Sequence, residues 1–344
     1  VFQIVKIRTQ SHAWGLQDFK IYDKNHCSSG HEPYMEKGGI FIFPSIHWHL
    51  SKMKRTESID CMPSYPSPLA GLNQIMAVSG CRSGCDNRGD CGFPRGTTAL
   101  IGPRGGMKSY LAYYFLLAQA LGITDTQDGT PKNILLISLR DNASIIKHTL
   151  SYILQNEPIY NCSDGEECVR NLLDDDRIDI LYNPPGYITP AEIYHRIRTH
   201  INRQRNNKGF YVDKRAFIQP ERNTAEIVVL NGLDHLQAKF PLCASEKMFI
   251  PSLVSLFRAN QLCAIVIASE DPRGKAGILN IRPLADMVLM FSDVEGKNKV
   301  KINGRKEFIM ASKIKSVRVP AGRIGGQSGI LTRSKTKPLN FKVL

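Results

Sequence analysis

A glycine-rich turn between an apolar run and a helical pattern carries the clearest chemistry in the sequence. Residues 97–101 are apolar or β-branched, and the turn after them reads Gly102, Pro103, Arg104, Gly105, Gly106, Met107, Lys108 and Ser109. Tyr110 then opens a helical stretch. Backbone N–H groups of such a turn converge on a phosphate chain at the positive end of the helix. Lys108 is expected to contact the β- and γ-phosphates, and the Ser109 hydroxyl to hold Mg²⁺.

Met107 stands where the common phosphate-loop pattern has glycine. Because a side chain restricts the backbone angles that glycine allows, Met107 leaves open how tightly and in what geometry a nucleotide is held. The alternative is a chance glycine-rich turn. The order of strand, turn and helix favours a true phosphate loop.

Length and composition limit the class of protein. The chain has 344 residues, of which 42% are hydrophobic, enough for one large core. No apolar run reaches the roughly 20 residues that a membrane-spanning helix needs. The nine cysteines form no regular framework, so we expect reduced thiols and a cytoplasmic location. The chain begins with a strand-like segment without Met, and we interpret it as a piece of a longer protein.

The positive charge is concentrated at one end. Residues 296–344 hold thirteen Lys or Arg and one Glu, which is +12 of the total +14. A solvated basic face is one interpretation. The others are contact with a neighbouring subunit's nucleotide, or with nucleic acid.

Strands and helices alternate after the phosphate loop. Strands are predicted at residues 133–139, 177–182, 226–230, 264–268 and 286–291, and helices at 142–155, 189–206 and 245–261. This alternation of strands and helices predicts an α/β fold with a mainly parallel sheet and helices on both faces. Nucleotide is then expected at the carboxyl ends of the strands. Residues 300–302 and 306–319 predict a C-terminal β-hairpin at the sheet edge.

Four regions follow from these patterns. Residues 1–50 contain two predicted strands, 2–8 and 39–44, around a polar loop, and two strands need a surface to pack on. Residues 51–68 read as a linker. Residues 69–320 form the predicted nucleotide-binding domain, beginning with a short helix at 69–76. Residues 321–344 read as a basic, flexible or partner-bound tail.

Four places in the sequence resemble the KaiC-like branch of the RecA-type ATPases. Leu69 to Asn73, with Gly92 to Gly96, is similar to that family's entry into the phosphate loop, and residues 102–109 are similar to the loop itself. Lys313 and Lys315 resemble its Lys-x-Arg finger. Residues 6–12 and 39–44 resemble the closing strands of a preceding RecA-type unit.

The resemblance implies a RecA-like P-loop NTPase fold that binds ATP and Mg²⁺. It also implies a tandem protein, of which this chain holds the second unit and the end of the first. The family assembles as a hexameric ring, in which Lys313 and Lys315 would contact the γ-phosphate in the neighbouring subunit.

Two positions depart from the family pattern. Arg140 and Asp141 occupy the place of a Glu pair that activates water, and Asn231 replaces the Asp that ends the Walker B strand. Such losses remove a general base and an acidic group that orients the metal. Asp141 as base and Asp234 as substitute acid remain the alternative. We therefore expect ATP hydrolysis, with Lys108 and Asp141 as its catalytic residues, to be slow or absent.

Three cysteines lie close together before the loop. Cys81, Cys85 and Cys91 offer soft ligands for zinc, which would need a fourth ligand from elsewhere. Free or partly buried cysteines are the alternative. Cys162 and Cys168 flank an acidic loop and are assigned no role.

Three functions remain open on the sequence. The first is an ATP-binding regulatory or signalling unit that works as a homo-oligomer, with protein partners. The second is a RecA-like ATPase that binds nucleic acid through its basic C-terminal region. The third is a structural scaffold with a degenerate nucleotide site.

Overall fold

The computed structural model describes residues 2–3, 16–22, 39–43, 45–46, 64–76, 92–105, 107–123, 129–183, 188–201, 204–205, 211–212, 225–269, 281–293, 299–302, 305–308, 310–318, 328–333 and 338–344. Within them the strands are β1 (Phe2–Gln3), β2 (Leu16–Tyr22), β3 (Gly39–Phe43), β4 (Ser64–Tyr65), β5 (Phe93–Pro94), β6 (Gly96–Gly102), β7 (Ile134–Ser138), β8 (Ile178–Tyr182), β9 (Gln204–Arg205), β10 (Tyr211–Val212), β11 (Ile227–Asn231), β12 (Cys263–Ser269), β13 (Met287–Asp293), β14 (Lys299–Ile302), β15 (Arg305–Phe308), β16 (Met310–Arg318), β17 (Ser328–Arg333) and β18 (Asn340–Val343). The helices are α1 (Ala70–Met76), α2 (Lys108–Leu121), α3 (Ala143–Asn156), α4 (Gly165–Asp174), α5 (Pro190–Ile201), α6 (Leu236–Lys239), α7 (Pro241–Ser245) and α8 (Phe249–Ala259), with 3₁₀ turns at Pro158–Tyr160 and Leu233–His235.

Nine of these strands form one sheet in the order β18-β17-β16-β13-β6-β12-β11-β7-β8. The six strands from β13 to β8 are parallel, and β16, β17 and β18 are antiparallel. β6, which leads into the glycine-rich turn, lies between β12 and β13. β11, which ends at Asn231, lies one strand further away. The prediction of an α/β fold with a mainly parallel sheet is therefore confirmed.

The central strands β6, β7 and β11 are buried along their whole length and mostly apolar, because both faces of the sheet are covered. Successive residues of β11 alternate between two clusters, with Ile227 and Val229 packing on one side and Val228 and Leu230 on the other. The first side is covered by α1 to α4 and the second by α5 to α8. Helices on both faces were expected from the alternation of strands and helices.

Local signals in the sequence fix the ends of several helices. Asn142 caps α3 by accepting a hydrogen bond from the backbone of Ile145 over 2.9 Å. Asp164 caps α4 through the N–H groups of Glu166 and Glu167. Gly122 ends α2 in a left-handed conformation, φ 70°. Such caps satisfy backbone groups that the helix itself leaves unpaired.

The N-terminal strands form a separate antiparallel sheet, β1-β2-β3. β2 lies within the segment that the sequence analysis assigned to a polar loop, so that assignment is wrong for Leu16–Tyr22. The sheet packs on α5, where the rings of Phe43 and His195 lie 5.7 Å apart, and Ile46 joins the same core cluster. The expectation that these strands need a packing surface is confirmed.

The C-terminal region differs most from expectation. β14 and β15 pair as the predicted antiparallel hairpin, but β16 pairs with β13 on one side and β17 on the other. β16 is therefore not an edge strand. The prediction of a flexible or partner-bound tail is wrong for Ser328–Arg333 and Asn340–Val343, because both segments are strands of the large sheet.

Two smaller predictions also change. The helix expected at residues 245–261 is divided into α7 and α8, with Glu246, Lys247 and Met248 between them. Cys162 and Cys168 form a disulfide at the start of α4, whereas the sequence analysis assigns them no role and expects reduced thiols. Cys81, Cys85 and Cys91 lie outside the described residues, so the zinc prediction stays a prediction.

Candidate functional site

The side chain of Lys108 lies inside the glycine-rich turn. Lys108 is the first residue of α2 and is only 5% exposed. Its ammonium donates hydrogen bonds to the backbone oxygens of Gly102, at 3.0 Å, and Pro103, at 2.5 Å. A Cβ at Gly102 would collide with the backbone of Phe291 in β13. The turn therefore curls around a buried cation, and only glycine lets its first residue approach the neighbouring strand so closely.

Met107 takes a left-handed backbone conformation, which favours glycine over other residues. Its φ is 57° and its ψ 6°, in the left-handed region, which costs a non-glycine residue roughly 1–2 kcal/mol. Its N–H donates to the oxygen of Gly105 over 3.0 Å, and its oxygen accepts from the N–H of Leu111 over 2.9 Å. The side chain is buried in the core beside α2. Met107 thus holds this conformation of the turn at a local cost in backbone strain.

Asn231 connects three groups at the end of β11. The Ser109 hydroxyl donates to its Oδ1 over 3.3 Å. Its Nδ2 donates to the hydroxyl of Tyr113 over 2.7 Å and to Oδ2 of Asp141 over 3.4 Å. Burial, and next the charge of Asp141, raise the pKa of Tyr113 above its usual range. Tyr113 therefore stays a neutral phenol, and the amide of Asn231 is oriented by its neighbours.

The carboxylate of Asp141 is held by Arg140. Nε of Arg140 lies 3.0 and 2.9 Å from the two oxygens, and Nη2 lies 2.8 Å from Oδ2. The backbone around the pair is fixed as well, because Oγ of Ser138 accepts from the N–H of Asp141 over 2.9 Å and Lys239 donates to the oxygen of Arg140 over 2.7 Å. Both oxygens of the predicted base are therefore engaged by a cation.

Asp234 also lies beside two basic residues. Its Oδ2 lies 3.5 Å from Nε2 of His235 and 3.8 Å from Nε of the exposed Arg104. Burial lowers the pKa of His235 below its ordinary value, and Lys239, Arg140 and Arg104 act in the same direction, against the raising effect of Asp234. At neutral pH His235 is thus uncharged.

A cavity of about 290 Å³ lies over the turn. Among the predicted site residues, those that line it are Arg104, Gly105, Met107, Lys108, Ser109, Tyr110, Asn231 and Asp234. Gly102 and Pro103 border it through the oxygens that hold Lys108. Gly106 lies outside the described residues. The volume is at the lower end of the range for ligand pockets.

Lys313 and Lys315 do not line this cavity. They are exposed on one face of β16, and Ile314, which lies between them, is buried on the opposite face. β16 is two strands away from β6 in the sheet. Within one chain the structure therefore does not bring these lysines to the phosphate loop.

Four lining residues were missed as site residues: Arg140, His235, Ile267 and Ser269. Ser269 ends β12 directly opposite Gly102 in β6. Its signal in the sequence was its place at the carboxyl end of a predicted strand, where parallel sheets bind ligands. Arg140 was noted only as a departure from a family pattern.

Neither a scan against models of protein families nor a search of curated proteins finds a match to this chain. In the described part of the chain, no helix is long and apolar enough to cross a membrane.

Tyr110 links the cavity to the C-terminal strands. Its hydroxyl donates to the carboxylate of Glu157, which is almost fully buried just after α3. The same carboxylate accepts from Nε of Arg333 over 3.0 Å and from the N–H of Leu339 over 2.8 Å. The Arg333 guanidinium lies 4.4 Å from the centre of the Tyr110 ring. Sequence reasoning missed this network, since its members are far apart in the chain.

The residues near Ser109 fit a Mg²⁺ ion poorly. Ser109 and Asn231 offer a hydroxyl and an amide oxygen, both neutral, whereas protein-bound Mg²⁺ usually has one or two carboxylates. The carboxylates of Asp141 and Asp234 are engaged by Arg140 and by His235 and Arg104. The described residues contain no group of three His, Cys, Asp or Glu placed to hold a metal ion. The assignment of Mg²⁺ to Ser109 stays a prediction.

Proposed function

We propose that the chain is an ATP-binding unit with a RecA-like fold, whose bound nucleotide regulates assembly with like subunits. The observation that carries the proposal is the buried ammonium of Lys108 at the amino end of α2, enclosed by oxygens of the glycine-rich turn. Lys108 is the first residue of α2, and the positive end of a helix together with a lysine ammonium favours an anion at this place. The cavity above it supplies the space for a phosphate chain.

Slow or absent hydrolysis is part of the proposal. A general base must accept a proton from water, and the oxygens of Asp141 are bonded to Arg140 and lie within reach of the Asn231 amide. Asn231 itself carries no negative charge. Base catalysis alone typically contributes a factor of roughly 100 to 10,000 to the rate. Binding without turnover is then the main activity.

The free energy of ATP binding would stabilise the assembly of like subunits. A ligand present at about a thousand times its dissociation constant stabilises the bound state by roughly 4 kcal/mol. The cavity is small for a whole nucleotide, so the ribose and base would lie outside it, where a second subunit can contact them. Lys313 and Lys315, exposed on β16, are the residues that we assign to contact with the γ-phosphate in the neighbouring subunit of a ring.

Calorimetry with ATP on the wild-type chain and on Lys108→Ala tests the proposal. We expect wild type to bind and Lys108→Ala to bind about 10- to 100-fold more weakly, because one charge-assisted contact is removed. Lys147→Ala, which removes an exposed lysine of α3, is the matched control and should bind like wild type. Absence of ATP binding by wild type would contradict the proposal.

Solution mass and phosphate release complete the test. We expect the mass to increase when ATP is added. The double variant Lys313→Ala and Lys315→Ala should show a smaller increase while remaining folded. Phosphate release should be far slower than the roughly 10 s⁻¹ that is typical of enzymes. Turnover at that rate, abolished in Lys108→Ala, would show that the hydrolytic part of the proposal is wrong.

A further inference from the structure

We propose that this pocket binds the triphosphate without a divalent cation, and that Arg140 supplies the positive charge that a metal ion would otherwise bring. The inference rests on the proposed function, because it concerns the same cavity. It starts from the poor fit of the residues around Ser109 to Mg²⁺.

The two side chains at this position, Ser109 and Asn231, carry no negative charge to attract a cation. The Ser109 proton is directed to Oδ1 of Asn231, and Nδ2 of Asn231 is directed to Tyr113 and Asp141. An amide nitrogen with two hydrogens cannot bind a metal ion. A cation there would be held by the phosphates and by neutral oxygens alone, which is weak for an ion that gives up its water reluctantly.

Cations already surround the phosphate position. Arg104, Lys108 and Arg140 line the cavity, against the single carboxylate of Asp234. With His235 uncharged, these lining side chains carry a net charge of +2, and Asp141, which binds Arg140 but does not line the cavity, lowers the total to +1. Arg104, Lys108 and Arg140 each repel a divalent ion placed among them, and Asp234 is the one lining carboxylate that attracts it.

Arg140 is placed to take over the role of the ion. Nε and Nη2 are bonded to Asp141, while Nη1 makes no hydrogen bond to any described residue. A guanidinium has five donors in a planar fork that matches the oxygens of a phosphate. Its backbone is fixed by Ser138, by Lys239 and by contact with Gly232, where a Cβ would meet the Cβ of Arg140 at 2.7 Å. Arg140 can therefore hold Asp141 and a phosphate together.

Asn231→Asp is the variant that distinguishes a metal-free triphosphate site from a site that binds a divalent ion. It places a carboxylate 3.3 Å from the Ser109 hydroxyl, where it would repel bare phosphates but attract a divalent ion. The test is ATP binding by calorimetry, in millimolar Mg²⁺ and in EDTA, for wild type, Asn231→Asp and Arg140→Gln. Asn260→Asp is the matched control, because Asn260 follows α8 at the opposite end of the strands.

We expect the dissociation constant of ATP for wild type to differ less than about threefold between Mg²⁺ and EDTA. The control Asn260→Asp should behave in the same way. Asn231→Asp should bind at least about tenfold more tightly in Mg²⁺ than in EDTA, which corresponds to one charge-assisted contact. Arg140→Gln should weaken binding in EDTA about tenfold. If Asn231→Asp fails to fold, wild type and Arg140→Gln still decide the question.

The outcomes distinguish this inference from the function on which it rests. Wild-type binding in Mg²⁺ that is lost in EDTA overturns the inference and leaves the ATP-binding function intact. Unchanged binding by Arg140→Gln in EDTA overturns the role of Arg140. Absence of binding by wild type in both conditions overturns the proposed function itself.

Discussion

Nε of Arg333 lies 3.0 Å from Oε1 of Glu157, and this ion pair joins the end of β17 to the end of α3. Both side chains are largely buried. Tyr110, which lines the cavity, donates to the same carboxylate. The pair therefore connects the helix of the phosphate loop to strands that follow it by more than 200 residues in the sequence.

Glu157→Gln should lower the free energy of unfolding by about 3 kcal/mol, since it leaves the buried guanidinium of Arg333 without its counter-charge. Urea denaturation followed by circular dichroism measures the change. Glu167→Gln, at an exposed position of α4, is the control and should alter stability by less than about 0.5 kcal/mol. A loss below about 1 kcal/mol for Glu157→Gln would show that the pair is not a structural connection.

The sequence predicted the parallel part of the sheet because its signals are local. Each central strand is a short apolar run, and helix caps such as Asn142 and Asp164 lie next to the helices they begin. β17 has no such apolar run, because Ile330 and Leu331 are its only large apolar residues and Gly329 leaves room for the ring of Phe341 in β18. Its place in the sheet depends on pairing with distant strands, which composition does not reveal.

The candidate site also has a part that the sequence predicts and a part that it does not. The position of Lys108 and the approach of Ser109 to Asn231 follow from where a glycine-rich turn and a strand end must lie in a parallel sheet. The engagement of Asp141 by Arg140 depends on side-chain geometry. The sequence alone therefore left the role of Asp141 open.

At Met107, glycine should give a more stable protein than alanine, which is the reverse of the usual order of stability. Both Met107→Gly and Met107→Ala lose the buried side chain, but only alanine keeps the cost of a left-handed backbone. We expect Met107→Gly to be about 1 kcal/mol more stable than Met107→Ala in urea denaturation. Ala112→Gly, within α2, is the control and should be about 1 kcal/mol less stable than wild type. Equal stabilities of the two Met107 variants would contradict the left-handed conformation.

Stability should fall as the pH decreases below about 6.5, the ordinary pKa of histidine, because the pKa of His235 is lower in the folded chain. Between the two pKa values the unfolded chain binds more protons than the folded chain, so the free energy of unfolding rises with pH in that window. His235→Gln should reduce this slope, as measured by thermal unfolding in a pH series. His148→Gln, at an exposed position of α3, is the control, and an equal effect of both variants would argue against a shifted pKa at His235.

Cys243 and Cys263 should resist alkylation in the folded chain. Burial raises the pKa of Cys243 to about 12 and that of Cys263 above its usual range, so almost no reactive thiolate is present at neutral pH. Mass spectrometry after iodoacetamide treatment should find both thiols unmodified until denaturant is added. The same digest should contain the peptide joined through Cys162 and Cys168 when no reductant is used. Equal labelling of Cys263 with and without denaturant would contradict its place in the core, where it pairs with Gly96 between β12 and β6.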